Sequence, residues 1–137
     1  MEVTLALLAD AANLSQEGKL NILGAFDRLS AAAFPARHPE MQLVMRFEAS
    51  PAEYGMKKKI AIKLLDEDGA FIGGADAEAI IPPQNSGRKA RIQHVLTMRD
   101  VVFPKAGDYV FAVLVDGRTE EEVPLQLVNI AEEQSNA

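Results

Sequence analysis

Alternation of apolar and polar residues with a period of two is the feature that most constrains the fold. It is clearest in residues 41–49, where one face carries Met41, Leu43, Met45, Phe47 and Ala49. Successive side chains of a β-strand point to opposite faces, so this segment predicts a half-buried strand. The same period recurs in residues 3–13, 20–29, 59–65, 91–98, 109–115 and 123–130. The sequence therefore predicts a chain made almost entirely of strands.

Proline and glycine are concentrated between these segments. Asp66-Glu67-Asp68-Gly69 predicts a tight hairpin turn into Phe71, and Gly18 has the conformational freedom to close another hairpin. Turn signals about every ten residues between short alternating strands are typical of a β-sandwich. We expect an antiparallel β-sandwich of seven or eight strands, immunoglobulin-like or a related Greek key, over residues 1–130. Residues 131–137 have no bulky apolar side chain and are expected to form a flexible tail.

The segment from Phe103 to Tyr109 resembles the tyrosine corner of immunoglobulin-like sandwiches. In that motif a tyrosine that enters a late strand forms a hydrogen bond with the backbone a few residues upstream. A simple turn with a buried tyrosine is the alternative. Both interpretations lead to an antiparallel sandwich.

Composition excludes several functional classes. The chain has 137 residues, no cysteine, two histidines and a formal charge of −6, from 14 Lys and Arg against 20 Asp and Glu. Disulfides, a cysteine nucleophile and thiolate zinc sites are therefore excluded. The acidic charge argues against nucleic-acid or anionic-membrane partners. The apolar run 3–8 follows Glu2 and stops before Asp10, which is unlike a secretion signal, so we expect a cytoplasmic protein.

Several short motifs together resemble an uncharacterised family of small bacterial single-domain proteins, a domain of unknown function. They are Leu7-Leu8-Ala9-Asp10, Gly18-Lys19-Leu20-Asn21, Gly24-x-Phe26-Asp27, His38-Pro39 and the block from Phe103-Pro104 to Asp116-Gly117. The resemblance covers nearly the whole chain and implies a standalone bacterial sandwich. It implies no activity.

Two groups of residues could in principle take part in chemistry. Asp66 and Asp68 resemble the start of a calcium loop, but no glutamate follows at EF-hand spacing, so they form at most a weak cation site. His94 alternates with Ile92 and Leu96, which predicts a hydrogen-bonded core histidine. The sequence contains no nucleophile elbow or metalloprotease motif. We expect a protein that is not an enzyme and needs no cofactor.

The strand 109–115 is apolar on both faces, which a two-layer sandwich does not require. Val110, Ala112 and Leu114 alternate with the predicted core residues, and Leu8 and Leu23 show the same excess in the first two strands. Either a loop covers this second face or it is a subunit interface, and we favour the interface. The predicted function is a non-catalytic binding or structural module that acts through protein–protein contacts as a homo-oligomer. The alternative is a loop-end module that binds a small ligand or cation.

Overall fold

The computed structural model describes residues 1–131, and nine β-strands account for most of that range. The strands are β1 Glu2–Leu14, β2 Leu20–Phe26, β3 Arg28–Ala31, β4 Ala36–Ala49, β5 Lys57–Leu65, β6 Phe71–Ile80, β7 Ala90–Phe103, β8 Gly107–Val115 and β9 Arg118–Asn129. Short 3-10 turns at Pro51–Glu53 and Asn85–Gly87 precede β5 and β7. The expected tail, apart from Ala131, lies outside the described residues.

The strands form two sheets, which confirms the all-β sandwich. The four-stranded sheet has the order β2-β1-β4-β7, and the five-stranded sheet has the order β3-β9-β8-β5-β6. Every ladder is antiparallel except β3 with β9, so the five-stranded sheet is mixed. The count exceeds the predicted seven or eight because residues 20–29 are not one strand. The chain leaves the first sheet after Phe26 and enters the second at Arg28, with the carbonyl of Asp27 accepting a hydrogen bond from Gln126.

The core lies between β4 of the four-stranded sheet and β8 of the five-stranded sheet, with side chains from their neighbours. Its largest fully buried side chains include Phe47, Met41, Leu43 and Met45 from β4 and Tyr109 and Phe111 from β8. Removing this apolar surface from water is the main stabilising term for the fold. The face predicted for residues 41–49 is confirmed, since all five of its residues are buried.

Tyr109 makes the predicted hydrogen bond to the upstream backbone. Its hydroxyl donates to the carbonyl of Lys105 at 2.7 Å and accepts from the amide of Lys105 at 3.3 Å. Its ring packs edge-on against Phe103, with the centroids 5.1 Å apart. The residue is 2% exposed, so the hydroxyl anchors the turn that starts β8 from inside the core.

Tyr109→Phe should lower the free energy of unfolding by about 1–3 kcal/mol, because the carbonyl and amide of Lys105 lose their partner where water has little access. Urea denaturation measures the loss. Tyr54→Phe is the matched control, since its hydroxyl bonds the carbonyl of Arg88 at an exposed position. Equal losses of unfolding free energy in the two variants would show that burial of the Tyr109 hydroxyl adds nothing to stability beyond an exposed hydrogen bond.

The far half of the β1–β2 hairpin folds back over the outer face of the four-stranded sheet. The side-chain amide of Gln93, on the outer face of β7, donates to the carbonyl of Gly18 at 2.7 Å. The strand β1 also contacts β7, although β4 separates them in the sheet. Val44 and Ala9 point outward from this sheet and are nevertheless 0% exposed. The hairpin therefore buries a second apolar layer within one chain.

Gly24 allows the hairpin to leave the sheet. The β1–β4 ladder ends at Ala9, and opposite the next residue, Asp10, Gly24 has a φ of 71°. A Cβ atom on Gly24 would lie 2.5 Å from the Oδ2 atom of Asp10. Both the backbone angle and the close approach of Asp10 favour glycine here.

Gly24→Ala should destabilise the protein more than Gly18→Ala. Both positions have positive φ, which costs an alanine roughly 1–2 kcal/mol, but a Cβ on Gly18 meets nothing within 4 Å. The difference between the two variants in chemical denaturation isolates the clash with Asp10. If the two losses are equal, the approach of Asp10 does not constrain the hairpin.

Candidate functional site: the open side of the sandwich

The two sheets differ by one strand, and this leaves one side of the sandwich uncovered. At the other side β2 leads directly into β3, and next to them β1 contacts β9 across the core. Matching the two strand orders from that side places β4 opposite β8 and β7 opposite β5. The fifth strand, β6, is then left with no strand opposite it among residues 1–131. We call β6, β7 and the space between them the open side.

A cleft of about 490 Å³ lies in the open side. Ile62, Leu64 and Phe111 form its floor, Ile72–Ala75 its β6 wall and Leu96–Val102 its β7 wall. Floor residues are buried, whereas Leu96 and Met98 on the β7 wall are partly exposed. The volume is in the range of ligand-binding clefts, which are lined mostly by apolar groups.

The β6 wall is low because its inward side chains are small. The register with β5 places Gly73, Ala75, Ala77 and Ala79 opposite buried residues of β5, so these four point inward. Ile72, which precedes them, packs against the core. Ala75 and Ala77 are exposed all the same. On its other edge β6 has no neighbour among the described strands, and the same is true of β7 in its own sheet. The open side thus combines an apolar cleft with two unpaired strand edges.

The polar groups of the β7 wall already have partners. Arg99 donates to Glu40 at 3.1 Å, Asp100 accepts from Arg37 at 2.8 Å, and the Thr97 hydroxyl donates to Gln42 at 2.7 Å. What the cleft offers a partner is therefore apolar surface and backbone hydrogen-bonding groups.

His94 is exposed, which contradicts its predicted place in the core. Its cross-strand neighbour is the buried Met45, so His94 does point to the inner face as alternation predicts. Because β7 is an edge strand beside the open side, the inner face there reaches solvent. Alternation therefore predicted the correct face of β7 for His94. The position of β7 at the edge of its sheet leaves the side chain exposed.

The five residues predicted for a subunit interface do not form one surface. Leu8 is 0% exposed in the main core, so its assignment to an interface is wrong. Leu23 is 73% exposed on the far half of the β1–β2 hairpin, while Val110, Ala112 and Leu114 lie on the outer face of the other sheet.

Ala112 and Leu114 are already buried within one chain, at 3% and 9% exposure. Strand β8 is the central strand of its sheet, so side chains of β5 and β9 flank each of its outward residues. Ala112 lies between Lys63 and Glu122. Long charged side chains cover neighbouring apolar surface with their methylene groups. The second apolar face therefore has little area left for a partner.

Asp66 holds the predicted hairpin turn. Its Oδ1 atom accepts from the amides of Asp68 and Ala70 at 2.9 and 2.8 Å, and Gly69 at φ 80° completes the turn. The carboxylate of Asp68 instead lies 3.6 Å from the Lys105 ammonium. The two acids thus serve different partners, and within residues 1–131 no three His, Asp or Glu side chains are placed to hold a metal.

Calcium at millimolar concentration should leave the melting temperature unchanged. A site filled a hundredfold above its dissociation constant would add about 2.7 kcal/mol, a shift of several degrees for a domain of this size. Magnesium serves as the ionic-strength control. A rise with calcium that Asp66→Asn abolishes would establish the cation site.

A charged cluster closes one end of the sandwich. The amino group of Met1 lies 2.6 Å from Glu53, the ammonium of Lys58 lies 3.1 Å from the same carboxylate, and the Ser50 amide donates to it at 2.9 Å. The Met1 ammonium, the Ser50 amide and Lys58 lower the pKa of Glu53 to about 2. Lys58 is buried because this cluster and Asp116 neutralise it.

Comparison with known families covers nearly the whole described chain. A family model described as a family of unknown function, DUF6941, matches residues 4–128. The chain belongs to this family. The DUF6941 match extends from β1 to the end of β9, and it confirms the predicted resemblance to a single-domain family of unknown function. Comparison with curated proteins gives no match.

Among solved structures, a β-glucuronidase from glycoside hydrolase family 2 is similar over 69% of this chain, with 16% identity and a TM-score of 0.37. The DUF6941 chain spans only 10% of that enzyme's chain. In the described part of the protein, no helix has the length and apolarity needed to cross a membrane.

None of the cleft residues was named as a site from the sequence. The available signal was the run Gly73 to Ala79, in which glycine and alanine occupy every inward position of a strand. A strand segment with only glycine and alanine facing inward cannot fill the core alone.

Proposed function

We propose that the protein is a non-catalytic β-sandwich module that acts through protein–protein contacts. Its contact surface is the open side, and not the outer face of β8 that the sequence suggested. The observation that carries this is the coincidence of an apolar cleft with two unpaired strand edges. An extended polypeptide that pairs with such an edge gains backbone hydrogen bonds and buries alternate side chains.

The edge of β6 supports the proposal because it lacks the usual protection. Soluble proteins protect an exposed edge by keeping it short, or with lysine, proline or an inward-pointing charge. The opposite edge strand, β3, has only four residues. Strand β6 has ten, with no lysine, no proline and its charges, Asp76 and Glu78, on the outer face. The register shift that marks a bulge lies near the start of β6, so the edge of residues 73–80 is regular and suited to accept a partner strand.

The apolar surface exposed around the cleft points to the same place. Phe71 at the start of β6 is 64% exposed, Ile80 at its end is 65% exposed, and Val102 on β7 is 46% exposed. Exposed bulky apolar residues beside a cleft are characteristic of contact surfaces. Val102 lines the cleft with Leu96 and Met98, and strand addition would cover these three. The register places Phe71 and Ile80 on the outer face of β6, opposite Leu65 and Lys57.

Hydrogen–deuterium exchange with a synthetic strand tests this function. The probe is a capped decapeptide in which valine alternates with glutamate and threonine, added to submicromolar protein so that the open side is free at the start. We expect slower amide exchange in β6 or β7 and unchanged exchange in β2, the other edge of the four-stranded sheet. Ala75→Asp should abolish the protection, because a carboxylate would lie beneath the bound strand.

Ala25→Asp is the matched control for that variant. It makes the same substitution at an exposed position of β2, far from the open side, and should leave the protection unchanged. Protection of other strands, or none at saturating peptide, would contradict the open side as the contact surface.

A further inference from the structure

The open side has the geometry of one missing strand. An added strand beside β7 would become the fifth strand of the four-stranded sheet and would lie opposite β6. It would cover the inner face of β6, which now has no strand opposite it, and close the cleft between Leu64 and Met98. The empty position beside β7 is thus one strand wide, and β6, the strand that extends past β7 in the other sheet, is also a single strand.

We propose that a second copy of the chain fills this vacancy: β6 of each copy pairs with β7 of the other around a twofold axis that runs along the cleft. The proposal rests on the proposed function and names the partner. Each sandwich contributes its surplus strand to the sheet that lacks one. Two continuous sheets of nine strands result, and the interface is closed because the same two ladders form twice.

Strand directions allow this pairing. Ile81 follows β6 and Ala90 begins β7, and both pack in one small cluster, so β6 ends where β7 begins. The two strands therefore run in opposite directions. A twofold axis parallel to the strands leaves their directions unchanged. The β6 strand of the second copy consequently meets β7 antiparallel, which is the more stable type of ladder.

The charges on the outer faces are complementary. Outward positions of β7 include Arg91 and Arg99, whose side chains are 60% and 72% exposed and form ion pairs with Glu48 and Glu40 of β4 at 3.5 and 3.1 Å. Outward positions of β6 include Asp76 and Glu78, and the Glu78 carboxylate lies 3.5 Å from the ammonium of Lys57 on β5. The twofold axis places both sets on the same outer surface of the combined sheet. Opposite charges on adjacent strands favour the ladder, and like charges oppose it.

The contact is large enough for a stable dimer. Strand β6 has ten residues and β7 has fourteen, so each ladder can extend over the full length of β6. The two ladders together engage about twenty residues of each copy, close to the 20–30 a side found in stable interfaces. The exposed apolar residues Phe71 and Val102 lie within this contact.

Sedimentation equilibrium and light scattering test the second copy as the partner. We expect twice the monomer mass at micromolar concentration. Ala75→Asp should give the monomer mass, and Ala25→Asp should keep the dimer. Circular dichroism at submicromolar concentration checks that both variants are folded, since both positions are exposed in one chain.

Reciprocal charge reversal tests the pairing of β6 with β7. One variant carries Asp76→Lys and Glu78→Lys, and the other carries Arg91→Glu and Arg99→Glu. Each alone places like charges on both ladders and should be monomeric. Mixed in equal amounts, they restore opposite charges on both ladders and should form a heterodimer. A purely structural effect of the substitutions would not be reversed by mixing.

The outcomes separate this proposal from the proposed function. A monomeric wild type whose open side still binds the decapeptide would keep the contact surface and exclude the second copy as its partner. A monomer that does not bind the peptide would overturn both. A dimer that survives Ala75→Asp, or reversed variants that stay apart when mixed, would place the dimer contact elsewhere.

Discussion

The unequal number of strands in the two sheets is the constraint on which the rest of this structure depends. A sandwich is stabilised where two apolar faces meet, and here the inner faces of β4 and β8 bury the largest side chains. From that centre outward, each strand of the four-stranded sheet finds one opposite it, and β6 is left over. Closing the core at the β2–β3 side therefore leaves the β6–β7 side open. The cleft follows from the unequal number of strands in the two sheets and from the small inward residues at positions 73–79 of β6.

The excess of apolar residues is accommodated in two ways within one chain. On the four-stranded sheet, the folded-back hairpin buries Val44 and Ala9. On the five-stranded sheet, neighbouring side chains shield Ala112 and Leu114. The hairpin and the neighbouring side chains each cover the outer face of a sheet, and neither covers the edge of β6 or of β7. The surface that a partner can still use is therefore set by the order of strands rather than by their amphipathicity.

This explains what the sequence could predict. Alternation depends on one strand and the nearest sheet face, so it identified the inward residues of β4 and β8. The turn at Asp66 was predicted from its aspartate and glycine residues. Tyr109 was predictable because its partner, Lys105, lies four residues away. The break at Asp27 was missed, although two consecutive polar residues, Asp27 and Arg28, interrupt the alternation where the chain changes sheets. Burial of Leu8 and exposure of His94 depend on which strands are their neighbours, and that information is in the topology alone.

The open side was beyond sequence reasoning for the same reason, since a vacancy is defined by strands that are distant in the chain. Its electrostatics also differ from those of the whole molecule. A net charge of −6 on each copy opposes association at long range, but salt screens that repulsion over roughly 8–10 Å. Arg91 and Arg99 lie on the edge of β7, each in an ion pair with a glutamate of β4, and the acidic side chains of β6 would join the same outer surface. Short-range complementarity of this kind persists where the long-range repulsion is screened, so an acidic chain can present an edge to which its own copy is suited.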